Sequence, residues 1–314
     1  MRFRRYAWFT LWLNLAVILW GAFVRATGSG AGCGRHWPLC NGQILPRAPE
    51  TSTLIEFAHR ASSGLALILV VGLFLWSRRA FPIGHRVRSA ATWSLGFIII
   101  EALVGAGLVL FELVASNDSM ARAGYLAVHL LNTFLLLAAI ALTAFWSGEP
   151  ASRGLVWRGG SPWLLGAALL AVLVVGMTGA IAALGDTLFP SESLAEGLRA
   201  DSSPTAHLLV RLRVLHPLFA ILTGLYLSIM VWLVGRERPA MLGSGWARLV
   251  PMVVLLQFAV GLTNLLLLAP VLLQLLHLLV ADLLWITLIL FAATALEASA
   301  VAKSPVPVTD AQSL

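Results

Sequence analysis

The chain consists of long apolar segments separated by short polar loops. Eight segments are long enough to cross a membrane as helices, which takes about 20 apolar residues for a hydrocarbon core roughly 30 Å thick. Glu56, Arg60, Glu101 and Asp282 are the only charged residues inside these segments. The pattern predicts an all-α integral membrane protein whose eight transmembrane helices cover residues 6–24, 54–76, 90–111, 123–146, 163–184, 214–234, 249–268 and 271–296.

The composition supports a membrane protein. Of the 314 residues, 59% are hydrophobic and 11% are charged, whereas about 25% of the residues in soluble domains are charged. The net charge of +7 does not indicate a nucleic-acid partner, because the basic residues collect at alternate ends of the segments.

The position of the basic residues predicts the orientation, since cytoplasmic loops are enriched in arginine and lysine. We expect a multi-pass protein of the plasma (inner) membrane with both termini in the cytoplasm and the first loop on the outer face. The residues that carry this bias are Arg2, Arg4, Arg5, Arg78, Arg79, Arg86, Arg88, Arg153, Arg158, Arg236, Arg238, Arg248 and Lys303.

The two halves of the chain resemble each other weakly. Glu101 stands three residues before a Val-Gly pair, and Gln257 stands three residues before another such pair. Gly21 lies late in the first segment, much as Gly176 lies late in the fifth. The repeat predicts two pseudo-symmetric four-helix bundles. The predicted parts are an N-terminal bundle (1–146), a cytoplasmic linker (147–161), a C-terminal bundle (162–297) and a disordered cytoplasmic tail (298–314).

Four histidines lie near the same end of alternate segments: His59, His129, His216 and His277. A histidine inside a membrane is costly unless it is paired or ligated. In antiparallel bundles the second helix of each half can face the fourth, which gives one bis-histidine haem site per half. Zinc is less suitable, because structural zinc sites need four clustered ligands. The remaining histidines, His36, His85 and His207, are expected to be solvated.

The two histidine pairs differ in their neighbours. Glu56 lies one helical turn from His59, whereas Arg213 and Pro217 surround His216. The asymmetry predicts a reactive site in the first half and an electron-handling site in the second. Glu56 also fits a different interpretation, a capping box that begins at Thr53.

Four further charged residues have more than one possible role. Arg60 and Arg213 either extend toward the membrane surface or pair with the carboxylates of haem. Glu101 and Asp282 are either structural or proton-handling.

The first loop contains the only two cysteines, Cys33 and Cys40. In an oxidising compartment they are expected to form a disulfide, which in such a short ring contributes about 2–3 kcal/mol. The bond either staples the loop or acts as a labile redox group.

Taken together, these motifs resemble the haem A synthase family over nearly the whole membrane portion. The resemblance rests on Val24-Arg25-Ala26-Thr27-Gly28-Ser29-Gly30, on Cys33 and Trp37-Pro38-Leu39-Cys40, on Glu56-x-x-His59-Arg60, and on His129, His216 and His277. Glu101 departs from the family pattern, in which a glutamine is usual at this point.

The resemblance implies an oxidoreductase that converts a methyl group of haem O into the formyl group of haem A by successive hydroxylations. By the same resemblance, Glu56, His59 and His129 form the catalytic site for the substrate haem, and His216 and His277 hold a resident haem b. Haem O synthase and a terminal oxidase are then the expected partners, together with an unidentified membrane electron donor. A homo-oligomer is compatible with this function.

Two other classes of function fit the four histidines. The first is a dihaem b-type electron carrier, which does not need Glu56. The second is a haem chaperone for oxidase assembly, which leaves its cargo chemically unchanged.

Overall fold

The computed structural model describes residues 1–148 and 159–297. Most of the predicted linker, residues 149–158, and the predicted tail, residues 298–314, lie outside these ranges. The helices of the described residues are α1 (Arg2–Ala26), α2 (Thr51–Ala80), α3 (Arg86–Leu110), α4 (Met120–Trp146), α5 (Ser161–Leu188), α6 (Leu194–Ser202), α7 (Leu208–Leu212), α8 (Leu215–Glu237), α9 (Pro239–Leu242), α10 (Gly245–Leu266) and α11 (Val271–Leu296).

Eight helical spans in this part of the chain are long and apolar enough to cross a membrane, and α7 and α8 together make one of them, Leu208–Glu237. The prediction of an all-α membrane protein with eight transmembrane helices is therefore confirmed. Several helices begin up to four residues before the apolar segment, because the residues that cap them are polar. The Ser119 hydroxyl accepts a hydrogen bond from the Arg122 amide at the start of α4, and Ser244 does the same for Ala247 in α10.

The helices pack into two groups of four. In the first group α2 lies between α1 and α3, and α4 closes the ring against α3 and α1. In the second group α8 and α10 are neighbours, and α11 closes the ring against α10 and α5. This matching order is what two pseudo-symmetric bundles require, and the pseudo-symmetry itself stays a prediction.

The two groups meet along α4 and α11, which are the most enclosed of the long helices. Phe134 of α4 stacks on Trp285 of α11 with ring centroids 5.4 Å apart. The Trp285 indole N–H donates to the Phe134 carbonyl oxygen at 2.6 Å. Both halves therefore present their closing helix to the other half.

We call the end of the molecule at which α2, α4, α8 and α11 begin the histidine end. In the first half it is covered by the cysteine loop, residues 27–50, which joins α1 to α2. In the second half it is covered by α6 and α7.

Candidate functional site

Each of the four intramembrane histidines lies in the first turns of its span and packs against a glycine of a neighbouring helix. A Cβ atom on Gly21 or Gly261 would lie 2.8 Å from the Cε1 atom of His59 or His277, respectively. A Cβ on Gly179 would lie 3.0 Å from His216 Cε1, and one on Gly105 would lie 4.0 Å from His129 Cε1. At Gly21 and Gly261 only glycine leaves room for the imidazole ring as it stands, and at Gly179 a larger residue would require the ring to shift slightly.

The structure corrects one detail of the sequence repeat. Gly179 is the partner of His216, whereas Gly176 packs against the ring of Phe134. The equivalent of Gly21 in the second half is therefore Gly179, one helical turn beyond the residue that the sequence comparison selected.

The histidines of the second half form a close pair. The ring centroids of His216 and His277 are 6.1 Å apart and the rings are nearly perpendicular. Two imidazoles on opposite sides of one metal ion have centroids about 6 Å apart, since each metal–nitrogen bond is about 2 Å long. At this spacing the two residues would be able to hold one metal ion between them, such as the iron of a haem.

The ring nitrogens of His216 and His277 differ in their contacts. His216 Nδ1 lies 3.2 Å from the Val175 carbonyl oxygen, so Nδ1 carries the proton and Nε2 keeps a lone pair for a metal. The Nδ1 atom of His277 is buried and has no hydrogen-bond partner among residues 1–148 and 159–297. The Nε2 atom of His277 lies 3.3 Å from the side-chain nitrogen of Gln257.

The histidines of the first half have a more polar environment. The Nδ1 atom of His59 is buried without a hydrogen-bond partner in the described part of the chain. His129 Nδ1 lies 3.2 Å from Glu101 Oε1, although the ring N–H is not aligned for a straight hydrogen bond. Glu101 therefore contacts one of the four histidines directly, which the sequence alone did not show.

Glu56 connects α2 to the cysteine loop. Its side chain is buried, and Oε2 accepts a hydrogen bond from the Cys33 amide at 2.7 Å, while Oε1 accepts from Arg60 Nε at 3.0 Å. The capping-box interpretation is wrong, because α2 begins at Thr51 and the Thr53 hydroxyl donates to the Gly32 carbonyl. The carboxylate one turn from His59 thus holds the loop and does not cap the helix.

Arg60 and Arg213 each clamp the loop of their own half. Besides Glu56, Arg60 donates to the carbonyl oxygens of His36 and Leu39. Arg213 pairs with Asp186 at 3.0 Å and with Asp201 at 2.8 Å. Neither guanidinium extends freely toward the membrane surface, and most of their donors face protein acceptors.

Cys33 and Cys40 form the predicted disulfide. Their relative exposures are 0% and 2%. The cysteine loop folds over its own disulfide, and the choice between a stapling and a redox role stays a prediction.

Two of the remaining three histidines differ from the expectation that they are solvated. His36 is exposed, as expected, but His85 and His207 are half-buried helix caps whose Nδ1 atoms accept hydrogen bonds from Val87 and Leu209 amides. Neither was predicted, because a histidine at a helix start is rarely used as a sequence signal for a cap.

Arg25 is a further site residue that the sequence motif contained but did not explain. It reaches from α1 into the second half and donates to the Ala183 carbonyl oxygen at 2.8 Å and to Thr187 Oγ1 at 2.6 Å. It also donates to Gln274 Oε1 at 2.8 Å, one turn before His277. Arg25 therefore links the two halves at the histidine end.

The fold and the site define a helical membrane protein with four half-buried histidines, each packed against a glycine of a neighbouring helix near one end of the molecule. The chain belongs to the COX15-CtaA family, described as cytochrome oxidase assembly proteins, whose family model matches residues 4–289.

Curated relatives give two kinds of match. The chain is 50% identical over 299 residues to a protein of Thermus thermophilus named protoheme IX farnesyltransferase, covering 95% of this chain and 49% of that protein. It is 44% identical over 97 residues to the Heme A synthase of Shouchella clausii, covering 31% and 32% of the two chains. It is 35% identical over 144 residues to the Heme A synthase of Halalkalibacterium halodurans, covering 46% and 47%. The chain thus spans about half the length of the curated relatives that it matches, or less.

Proposed function

We propose that this chain is a haem A synthase that oxidises a methyl group of haem O to the formyl group of haem A by successive hydroxylations. The observation that carries the proposal is that four half-buried histidines pack against glycines in the two halves, with Glu56 and Glu101 beside the first pair. The family membership and the heme A synthase relatives support the same reaction.

The two halves have different tasks in this proposal. His59 and His129 hold the substrate haem in the N-terminal bundle (1–146), and His216 and His277 hold a resident haem b in the C-terminal bundle (162–297). Haem iron supplies the oxidising chemistry that an unactivated methyl group needs. The histidines would position that iron, and the apolar side chains of the surrounding spans would exclude water from it.

Glu56 is the acid or proton-handling residue of the substrate site. Its contacts with the Cys33 amide and with Arg60 couple the cysteine loop to the first turns of α2, directly beside His59. The cysteine loop and the Glu56 carboxylate therefore close the N-terminal bundle together at its histidine end. We assign the N–H groups of Arg60 and Arg213 that face no protein acceptor to the carboxylates of the two haems.

The proposed partners follow from the chemistry. A haem O synthase supplies the substrate, a terminal oxidase receives the product, and a membrane donor provides electrons. We propose that the protein lies in the plasma membrane with the cysteine loop on the outer face, because the basic residues predict this orientation.

The name of the Thermus relative requires comment, since it describes farnesyl transfer to haem. This chain covers only 49% of that protein, and we propose that farnesyl transfer belongs to the part outside the match. A prenyl transferase holds magnesium pyrophosphate with clustered carboxylates, and within residues 1–148 and 159–297 no three His, Cys, Asp or Glu side chains group as a metal site.

The proposal is tested by co-expressing the chain with a haem O source in a host that lacks haem A, and by identifying the extracted haems by chromatography and mass. The unmutated chain should yield haem A or its hydroxylated precursor. Glu56→Ala and His59→Ala should yield neither, and the exposed-carboxylate control Glu192→Gln should retain the product.

The alternative functions give different results in the same experiment. Unchanged haem O with haem B on the purified protein would favour the electron carrier. Unchanged haem O bound to the purified protein would favour the chaperone. Either result would overturn the proposed synthase.

A further inference from the structure

Glu101 lies in the middle of a polar cluster that surrounds His129. Its Oε1 atom lies 3.2 Å from His129 Nδ1 and accepts a hydrogen bond from the Thr133 hydroxyl. Its Oε2 atom accepts a hydrogen bond from the Asn132 side-chain amide, which also donates to the Phe97 carbonyl oxygen. Two donors on α4 thus hold the carboxylate of α3 against the histidine.

The second half lacks this arrangement. Gln257 occupies the position of Glu101, four residues before the glycine that packs on the histidine, and its Nε2 atom lies 3.3 Å from His277 Nε2. The residues three and four positions after His277 are Val280 and Ala281, where the first half has Asn132 and Thr133. In the first half the histidine therefore has a charged partner that two donors hold in place. In the second half the equivalent partner is a neutral amide without those donors.

The contact on Nδ1 determines what the other ring nitrogen can do. A carboxylate this close to Nδ1 favours the proton on that nitrogen, so the imidazole keeps its lone pair on Nε2 and becomes a stronger donor to a metal. Charge-assisted hydrogen bonds from Asn132 and Thr133 keep the carboxylate in position. A stronger axial donor stabilises the oxidised form of haem iron and lowers its midpoint potential.

We propose that Glu101 is a positioning residue for His129, which fixes the ring with Nε2 toward the substrate iron and makes that haem harder to reduce than it would be beside a neutral residue. This inference rests on the proposed function, in which His129 ligates the substrate haem. It assigns to Glu101 a role that Gln257 does not have in the second half.

The test measures haem affinity and midpoint potential, and not turnover. Purified full-length protein is loaded with protohaem IX as the probe, and the two haem populations are followed by optical redox titration. Glu101→Gln keeps the shape of the side chain and removes its charge, so the midpoint potential of the N-terminal haem should rise. Glu101→Leu also removes the acceptor, and the affinity of that site should fall by about 10- to 100-fold, the usual cost of losing such a partner.

Two further variants control the comparison. Gln257→Leu removes the equivalent contact in the other half and should leave the N-terminal potential unchanged. Thr133→Val removes one donor to Glu101 with little change in shape and should shift the N-terminal potential in the same direction as Glu101→Gln, by less. If the Glu101 variants do not accumulate in the membrane, the potential of the Thr133→Val variant tests the role of Glu101.

The outcomes separate the inference from the function on which it rests. If His129→Ala removes the N-terminal haem but neither Glu101→Gln nor Thr133→Val moves its potential, the role of Glu101 is wrong and the haem site stands. If His129→Ala leaves haem occupancy unchanged, both the ligand assignment and the role of Glu101 are overturned.

Discussion

At the scale of single residues, glycine determines how closely a helix approaches each histidine. Gly261 leaves room for the His277 ring, since a Cβ there would lie 2.8 Å from Cε1. No real Cβ atom makes so short a contact, and the ring is the group that has to move. The backbone of α10 is fixed by its own helical hydrogen bonds.

We therefore expect Gly261→Ala to displace His277 and to lower the haem B content of the purified protein by about 10-fold or more, as the loss of other supports around a metal ligand does. Haem content per protein, measured as the pyridine haemochrome, checks this. Gly166→Ala is the matched control, because a Cβ there meets nothing within 4 Å and alanine favours the helix by up to about 1 kcal/mol. Normal haem content in Gly261→Ala would contradict the assignment of His277 as a ligand.

The sequence was enough to identify the four histidines and Glu56 as candidate site residues, but not to predict which residues they contact. The four histidines share a spacing relative to the ends of apolar segments, which a sequence displays. The choice between Gly176 and Gly179 depends on the rotation of α5 about its axis, and the partners of Glu101 depend on how α3 faces α4. Neither follows from hydropathy, because these helices are apolar on most sides.

At the scale of elements, the cysteine loop is held by more than its disulfide. Glu56 accepts from the Cys33 amide, the Thr53 hydroxyl donates to the Gly32 carbonyl, and Arg60 donates to two loop carbonyls. Each hydrogen bond to a charged group contributes about 1.5–3 kcal/mol. The loop should therefore stay largely in place when the disulfide is removed.

Trypsin cleavage after the exposed Arg35 and Arg47 measures opening of the loop. Cys33→Ala should raise the cleavage rate by no more than about 100-fold, which corresponds to the 2–3 kcal/mol of a short disulfide ring. Cys33→Ala combined with Arg60→Leu should raise it much further, because the side chains no longer hold the loop. Equal rates for the single and the double variant would show that the disulfide alone holds it. Circular dichroism should show the same helix content in both variants.

The helices themselves were the most predictable elements, since length and hydropathy suffice for a transmembrane span. All eight predicted segments lie in the eight spans of the described residues, with ends that differ by a few positions. The short α6 and α7 were not predicted, because nine and five residues of mixed polarity carry little periodic signal.

At the scale of the whole molecule, the two halves are joined at two depths. Arg25 bridges them at the histidine end through Thr187 and Gln274. Deeper in the bundle, Phe134 and Trp285 stack between α4 and α11. The sequence repeat indicated two bundles but not how they meet, because the acceptors of Arg25 are 158 to 249 residues away in the chain.

The orientation of the molecule is a prediction that exposed residues at its two ends can test. Ile83, between α2 and α3, is 90% exposed and lies among the basic residues, whereas Leu198 of α6 is 56% exposed and lies at the histidine end. Since basic loops remain in the cytoplasm, a membrane-impermeant maleimide should label Leu198→Cys in intact cells and Ile83→Cys only after permeabilisation. The unmutated chain controls for labelling of Cys33 and Cys40, which are joined in a buried disulfide. Labelling of Ile83→Cys alone in intact cells would show that the topology is the inverse of the predicted one. The cysteine loop, and with it the proposed substrate site, would then lie on the cytoplasmic side.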